Sequence, residues 1–349
     1  MSSDKEEIIR QKKIVQPLLT WYAQNARKLP WREDTDPYHI WVSEIMLQQT
    51  RVETVKPYFE RFMKRLPSVW DLAAITEEEL LKLWEGMGYY SRAKNMHKAA
   101  QIICTNFGGV FPENFDDILS LPGIGEYTAG AISSIAFQKP IPAVDGNVLR
   151  VMSRVCEDGR NMAETAVKKE LTELLRKIYP KKSCGDFTQS LMELGAMICL
   201  PNTPPKCFEC PIKDLCGANQ NGTQLNYPVL SQKRERKRED MTAFLLRFKD
   251  EIAVCKREKP GPLKGMWELP NTQGILSSKE AEQYLMELGI HVDRIEKRKK
   301  RKHIFTHIEW DMQCYAVFCK NRASRFVWVT KEQLDEEIAL PTAFRKLLN

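Results

Sequence analysis

The chain has no run of about 18 apolar residues, so nothing in it reads as a membrane-spanning helix. It has no low-complexity tract and no fixed-period repeat, which removes disordered and solenoid architectures. Its opening residues, MSSDKEEIIRQKK, hold no apolar core of the kind a secretory leader needs, and a cytosolic protein is expected. Charge is not strongly one-sided either: 53 Lys and Arg stand against 46 Asp and Glu, a net +7. That balance admits a polyanionic partner without requiring one. What is present is ordinary for a soluble globular chain of 349 residues, long enough for two cores. Ten cysteines without a secretory leader do not read as a disulfide framework. Six are scattered (Cys104, Cys156, Cys184, Cys255, Cys314, Cys319); the other four crowd between Cys199 and Cys216.

Residues 1–220 read as helices with short connections. Apolar residues recur at helical spacing from Ile8 and Ile9 through Tyr22, then over Ile40–Phe62, Ala93–Ile103, Thr128–Phe137, Val148–Val155, Leu171–Ile178 and Leu191–Ile198. Residues 221–240 are polar and basic, a linker by composition. Over 241–349 the period becomes two: Phe244–Phe248 and Ile252–Cys255 read as paired strands, and Phe326–Val329 as another. From Ile308 the even positions Trp310, Met312, Cys314, Ala316 and Phe318 are apolar while Glu309, Asp311 and Gln313 are not, which reads as a half-buried strand. One helix, Lys279–Leu288, completes a small α+β domain.

Three groups of residues carry chemistry. The turn LPGIGEYTAGAI places Gly123 and Gly125 before a helix start, where a backbone can approach a phosphate and free N–H groups meet an anion. A plain helix–helix turn explains the same glycines, and from this segment alone it is the commoner account. Glu44, in IWVSEIMLQQT, shares a helix face with Ile40, Trp41, Leu47 and Gln48; an apolar setting raises a carboxyl pKa and suits a general acid. A surface glutamate paired with Arg51 is the alternative. Asp145 opens a helix in VDGNVLRV, where N–H groups and the helix dipole favour its ionised form, or where it simply caps. An acid and a cation stabiliser together suit cleavage of a glycosidic bond. Cys199, Cys207, Cys210 and Cys216 could hold a tetrahedral zinc or an iron–sulfur cube. Only Cys207 and Cys210 form a close pair, which favours iron–sulfur. Two basic runs, Lys233–Arg238 and Lys297–Lys302, read as solvated loops unless a neighbouring site gives them a phosphate.

In order, WVSEIMLQQTRVETV, WEGMGYYSRAKN, LPGIGEYTAGAI, VDGNVLRV and the four cysteines resemble the adenine DNA glycosylases of the MutY type, within the helix-hairpin-helix superfamily. The resemblance runs from about Trp21 to Cys216. It implies an all-α helix-hairpin-helix catalytic region with a four-cysteine iron–sulfur loop carrying a 4Fe-4S cluster, acting as a monomer on duplex DNA. The implied reaction is removal of adenine opposite 8-oxoguanine, or opposite G, after the base is flipped out. The implied setting is bacterial-type cytoplasm, at the nucleoid through DNA. By motif position, Glu44 corresponds to the acid that protonates adenine and then activates water, and Asp145 to the carboxylate that stabilises the sugar cation. Tyr127 and Asn147 correspond to supporting hydrogen-bonding groups. Endonuclease III relatives carry a lysine where this chain has Tyr127; a tyrosine forms no Schiff base, which implies a monofunctional glycosylase. Trp31, Arg32 and Gln189 fall where the family meets adenine, and Gln49 and Tyr89 where it wedges the duplex open. Leu47, Gln48, Thr50, Tyr90, Gly123 and Gly125 join them as DNA-binding positions.

The last part resembles the same family's Nudix-like domain. In KHIFTHIEW, Phe305, Thr306 and His307 correspond to the loop that reads the oxidised guanine, Thr306 standing where serine is commoner. EQYLME keeps little of a hydrolytic Nudix metal set, which implies binding without hydrolysis. The six cations before His303 then read as phosphate contacts or as a solvated turn. One departure concerns Cys199: seven residues separate it from Cys207, against the family's six. Two other functions compete, an endonuclease III-like pyrimidine glycosylase and a non-catalytic DNA-binding scaffold.

Overall fold

A computed structural model describes residues 11–231 and 235–348. The expected helical residues Ile8 and Ile9, and Lys233 and Arg234 of the first basic run, lie outside them. The chain divides into two compact units, one of Met1–Ala74 with Asn95–Gln232, the other of Ile75–Lys94 with Lys233–Asn349. The linear sequence puts residues 75–94 with the helices around them; the structure groups them with the C-terminal strands. Among the described residues no helix is long and apolar enough to cross a membrane.

The first unit is helical. Its early helices are α1 (Val15–Asn25), α2 (Pro37–Leu47), α3 (Val52–Arg65) and α4 (Val69–Ala74). Helix α5 (Glu77–Leu83) belongs to the second unit, and α6 (Ser91–Asn106) runs through the division at Lys94. Then follow α7 (Phe115–Ser120), α8 (Glu126–Ile135), α9 (Gly146–Cys156), α10 (Thr165–Ile178), α11 (Cys184–Met197) and α12 (Gly217–Asn221). Local chemistry sets the starts. Asp36 accepts from Tyr38 N at 2.8 Å with Pro37 at the first position of α2, and Asn114 caps α7. Stripes at helical spacing on α9, α10 and α11 (Val148, Val151 and Met152; Leu171 and Leu175; Phe187, Leu191 and Leu194) bury one shared core with Ile14 and Leu18 of the first helical segment. Helix α2 differs. Tyr38 and every residue from Ile40 to Met46 are buried, so this helix is enclosed on all sides.

The second unit is built on β1 (Lys237–Phe248), β2 (Glu251–Lys256), β3 (Trp267–Glu268), β4 (Asn271–Gln273), α13 (Ser278–Glu287), β5 (Val292–Lys297), β6 (Arg301–Ile304), β7 (Ile308–Cys319) and β8 (Val327–Thr330), with α14 (Lys331–Glu336) and α15 (Thr342–Arg345) at the end. Strands order as β3-β2-β1-β7-β5, with β4 beside β1, β6 beside β7 and β8 beside β2. Strands β1 and β7 pair in parallel from Lys237 with Ile308 to Arg247 with Phe318; the other pairings are antiparallel. The first strand begins at Lys237, inside the stretch read as linker, and Asn161 bridges to Val229 within it. The half-buried reading of β7 needs correction. Trp310, Met312 and Cys314 pack with Leu334 and Phe344 on one face, while Tyr315 and Val317 pack with Ala281 and Leu285 on the other. Both faces are covered, so even Gln313 is buried; its Nε2 donates to Arg298 O at 2.9 Å.

Candidate active site

Glu44 lies on α2 one turn before its end, and the closed packing around that helix leaves it 6% exposed. The small residues Ala129, Gly130, Ala131, Ser133 and Ser134 of α8 are buried, and α8 packs against α2. That approach brings Tyr127 to Glu44, and the Tyr127 hydroxyl donates a hydrogen bond to Glu44 Oε2. Burial pushes the Glu44 carboxyl up to about 7; the Tyr127 bond opposes this, Asp145 adds to it, and Arg32 opposes it. The Arg51 pairing considered from the sequence is not made among the described ion pairs.

Asp145 caps α9. Its Oδ1 accepts from Val148 N at 2.8 Å and its Oδ2 from Asn147 Nδ2 at 2.7 Å. The sequence leads one to expect the helix start to hold Asp145 ionised. In the structure burial outweighs the Val148 and Asn147 hydrogen bonds, and the carboxyl lies above its ordinary value. The cap limits that rise rather than reversing it. Asn147 is itself placed by Arg150, whose Nη2 donates to Asn147 Oδ1 at 2.9 Å and to Gly195 O at 2.8 Å. Gly195 is needed there: a Cβ on it would stand 2.6 Å from Asn147 Cβ.

These groups line one cleft of about 530 Å³ in the first unit, with Trp31, Arg32, Leu47, Gln48, Gln49, Thr50 and Gln189. Trp31 is 6% exposed and packs edge-on against Phe59 at 5.5 Å, so it serves core and cleft together. Gln48 Nε2 donates to Thr128 Oγ1 at 3.4 Å. Sequence reasoning missed Glu193 and Arg27 in the same wall. Arg27 donates to Glu193 through Nε at 2.8 Å and Arg32 through Nη2 at 3.0 Å. Burial works to raise Glu193, but the two guanidiniums outweigh it and hold its carboxyl below the ordinary range. Its signal was a glutamate one turn after Gln189 on the largely apolar α11.

Gly123 and Gly125 form the turn between α7 and α8. Gly123 has φ +80°, and a Cβ would meet Asn95 Cβ at 2.7 Å, so the turn itself demands glycine. Gly125 is different: it has nothing within 4 Å of an added Cβ and leaves the N-terminus of α8 open to an approaching group. Gln49 and Tyr89 share a left-handed backbone, φ +58° and +47°, uncommon outside glycine. Tyr90 is buried, and its hydroxyl accepts from Gly86 N at 3.5 Å, a packing position.

Cys199, Cys207, Cys210 and Cys216 line one cavity at the end of α11, around two short 3-10 turns and the start of α12. The extra residue does not take Cys199 away from the other three; the loop absorbs it with Asn202 at φ +58°. Among the described residues no three His, Cys, Asp or Glu side chains converge as a site for a single metal ion. The four thiols stand around a cavity rather than at a point. Arg154, 3% exposed, donates to Cys199 Sγ at 3.1 Å and otherwise to the carbonyls of Leu200, Gln224 and Tyr227. A buried cation with no carboxylate partner among the described residues fits thiolates, or an anionic group held by them.

In the second unit, Phe305, Thr306 and His307 turn between β6 and β7. Phe305 N donates to Ile308 O at 2.8 Å, and His307 O accepts from Lys237 N at 2.9 Å. Phe305 is half-buried on Trp310, while Thr306 and His307 are exposed. The hydroxyls of Thr306 and Tyr89 lie 3.0 Å apart, both in this unit. Of the second basic run, Lys302 pairs with Glu309 at 3.1 Å and Arg298 Nη1 donates to Leu347 O at 3.1 Å.

Comparison with known proteins agrees with both halves. Residues 42–177 match the HhH-GPD superfamily base excision DNA repair protein family, and residues 242–349 match the NUDIX domain. An adenine DNA glycosylase of Buchnera aphidicola subsp. Schizaphis graminum (strain Sg) is 34% identical, over 84% of this chain and 84% of its own. This chain belongs to the adenine DNA glycosylase family. The adenine DNA glycosylase of Homo sapiens is 31% identical over 95% of this chain and 72% of its own. A solved thermostable thymine-DNA glycosylase superposes with a TM-score of 0.56 at 31% identity, covering 63% of this chain and all of its own. An endonuclease III bound to DNA superposes with a TM-score of 0.53 at 22% identity, over 62% of this chain and 98% of its own, and shares the fold. The chain is therefore a DNA glycosylase of base excision repair.

Proposed function

We propose that this glycosylase flips adenine out of duplex DNA opposite 8-oxoguanine, or opposite G, and hydrolyses its N-glycosidic bond. The reading rests above all on one observation: a buried Glu44 carboxyl pushed up to about 7 shares a cleft with Asp145. Protonated Glu44 gives its proton to a ring nitrogen of the departing adenine, the bond to the sugar breaks, and the electron pair leaves with the base. Asp145 meets the positive charge that develops on the sugar. Water adds to the sugar carbon and returns a proton to the Glu44 carboxylate, which restores the acid. Tyr127 orients Glu44 and offers no amine, so the strand stays uncut.

The four cysteines fit a 4Fe-4S cluster, which would be held by Cys199, Cys207, Cys210 and Cys216 with Arg154 balancing its charge. Such a cluster would cross-link the chain between α11 and α12. Phe305, Thr306 and His307 would read the oxidised guanine, and the open N-terminus of α8 at Gly125 would take a backbone phosphate. Gln49 and Tyr89, both held in a strained backbone, would enter the duplex. The deciding experiment measures which base is released from duplexes carrying A opposite 8-oxoguanine, A opposite G, T opposite G, and an oxidised thymine. Adenine release, fastest opposite 8-oxoguanine and without strand cleavage, is expected. Release of thymine or its oxidised form in its place would favour the pyrimidine reading.

A further inference from the structure

Beneath the Phe305–His307 loop lies a buried group that neither the cleft nor the loop chemistry uses. Arg257 and Glu268 are 5% and 6% exposed and pair at 2.8 Å. Arg257 Nε also donates to Pro262 O at 3.0 Å, so its guanidinium plane is fixed from two directions. Its Cζ lies over the Trp310 ring, 4.8 Å from the ring centre. The fully buried Trp310 is held again by its Nε1, which donates to Glu239 Oε2 at 3.1 Å, and by Phe344 at 6.0 Å. Phe305 meets this ring at 4.7 Å and 72°, and His303 meets Phe305 at 4.6 Å. One chain of contacts therefore runs from the ion pair to the loop.

We propose that Arg257, Glu268 and Trp310 are positioning residues that set the discrimination between oxidised and normal guanine by fixing Phe305. This rests on the reading of Phe305–His307 as the lesion-reading loop. An ion pair buried this deeply adds little stability over an apolar replacement, so its purpose lies in holding one arrangement. A guanidinium seated over an indole, and itself held by Glu268 and the Pro262 carbonyl, restrains the ring as a freely turning ammonium would not. With Trp310 unable to turn, Phe305 has one inward seat, and Thr306 and His307 are directed outward.

The test uses the full chain carrying Arg257→Met with Glu268→Gln, a pair that keeps volume and leaves no lone buried charge. The single-turnover excision rate for A opposite 8-oxoguanine, divided by that for A opposite G, should fall by about thirtyfold, the worth of a desolvated cation–π contact. The A-opposite-G rate should hold, and amide exchange over residues 304–308 should quicken. Arg257→Lys, which restores charge without the plane, should recover only part of the ratio. An unchanged ratio and unchanged exchange in the folded double variant would overturn the proposal, as would an equal loss on both duplexes. Phe305→Ala separates the two levels: no effect of it on the ratio defeats the reading loop itself, whereas an effect there alone defeats only the positioning role.

Discussion

Glu44 and Asp145 show how two carboxyls in one cleft come to differ. Both are raised by burial, but Asp145 has two N–H donors on its oxygens and Glu44 has one phenol. With a pKa of about 7, Glu44 is protonated at lower pH, so the excision rate should fall as pH rises through about 7. Tyr127→Phe removes the bond that lowers that value, and the falling limb of the single-turnover pH profile should move to higher pH. Glu44→Gln should cost about 100–10,000-fold in excision while a duplex carrying uncleavable adenine still binds. Stability gives an independent check. Above the unfolded carboxyl range the unfolded chain loses its Glu44 proton before the folded one does, so the wild type becomes progressively disadvantaged as pH rises toward 7. The melting temperature of Glu44→Gln relative to wild type should therefore be higher at pH 8 than at pH 5. Glu44 was legible in the sequence because its neighbours at helical spacing are apolar. The net rise at Asp145 was not, because burial by distant segments leaves no local trace.

Elements place these residues by approach distances that only small side chains allow. Gly195 lets α11 come against α9 at Asn147, and Arg150 fastens that contact. Gly195→Ala should displace Asn147 and remove its bond to Asp145. Excision should fall on the order of ten- to a hundredfold, from the worth of a hydrogen bond to a charged group, with iron content unchanged. Cys199→Ala tests the loop beside it. Purified variant should lose iron and its brown visible absorption, with Arg154 left without a thiolate partner; full retention of both would remove Cys199 from the ligand set. The start of α9 was legible through its cap Asp145, and β1, β2 and β8 through apolar runs. Strand β7 departs from its half-buried expectation because alternation over Ile308–Gln313 stops where Tyr315 and Val317 meet α13. Strands β3 and β4 are two and three residues long, too short for any period to show.

At the scale of the molecule the least legible feature is the membership of residues 75–94. Glu85 pairs with Arg345 at 2.6 Å, Glu78 with Lys256 at 3.0 Å, and Lys82 donates to Ile338 O at 3.0 Å. Those partners lie far along the chain, and charged residues on a helix surface do not declare which partner they will meet. A chain ended at residue 232 should keep the cleft of the first unit yet expose residues 75–94, and limited proteolysis should cut there first. Survival of that stretch in the shortened chain would show that it holds its shape unaided.

The same arrangement bears on how the protein is made. Residues 75–94 leave the ribosome ahead of the 138 residues from Asn95 to Gln232, and only then do their strands emerge. At about 5–20 residues per second that wait is roughly 7–28 s. Throughout it Tyr89 is attached to a segment that has been translated but not yet housed. Nascent chains should thus acquire the first unit early and Tyr89's surroundings last, so a stalled or prematurely ended chain would carry Glu44 in its cleft with Tyr89 still unhoused.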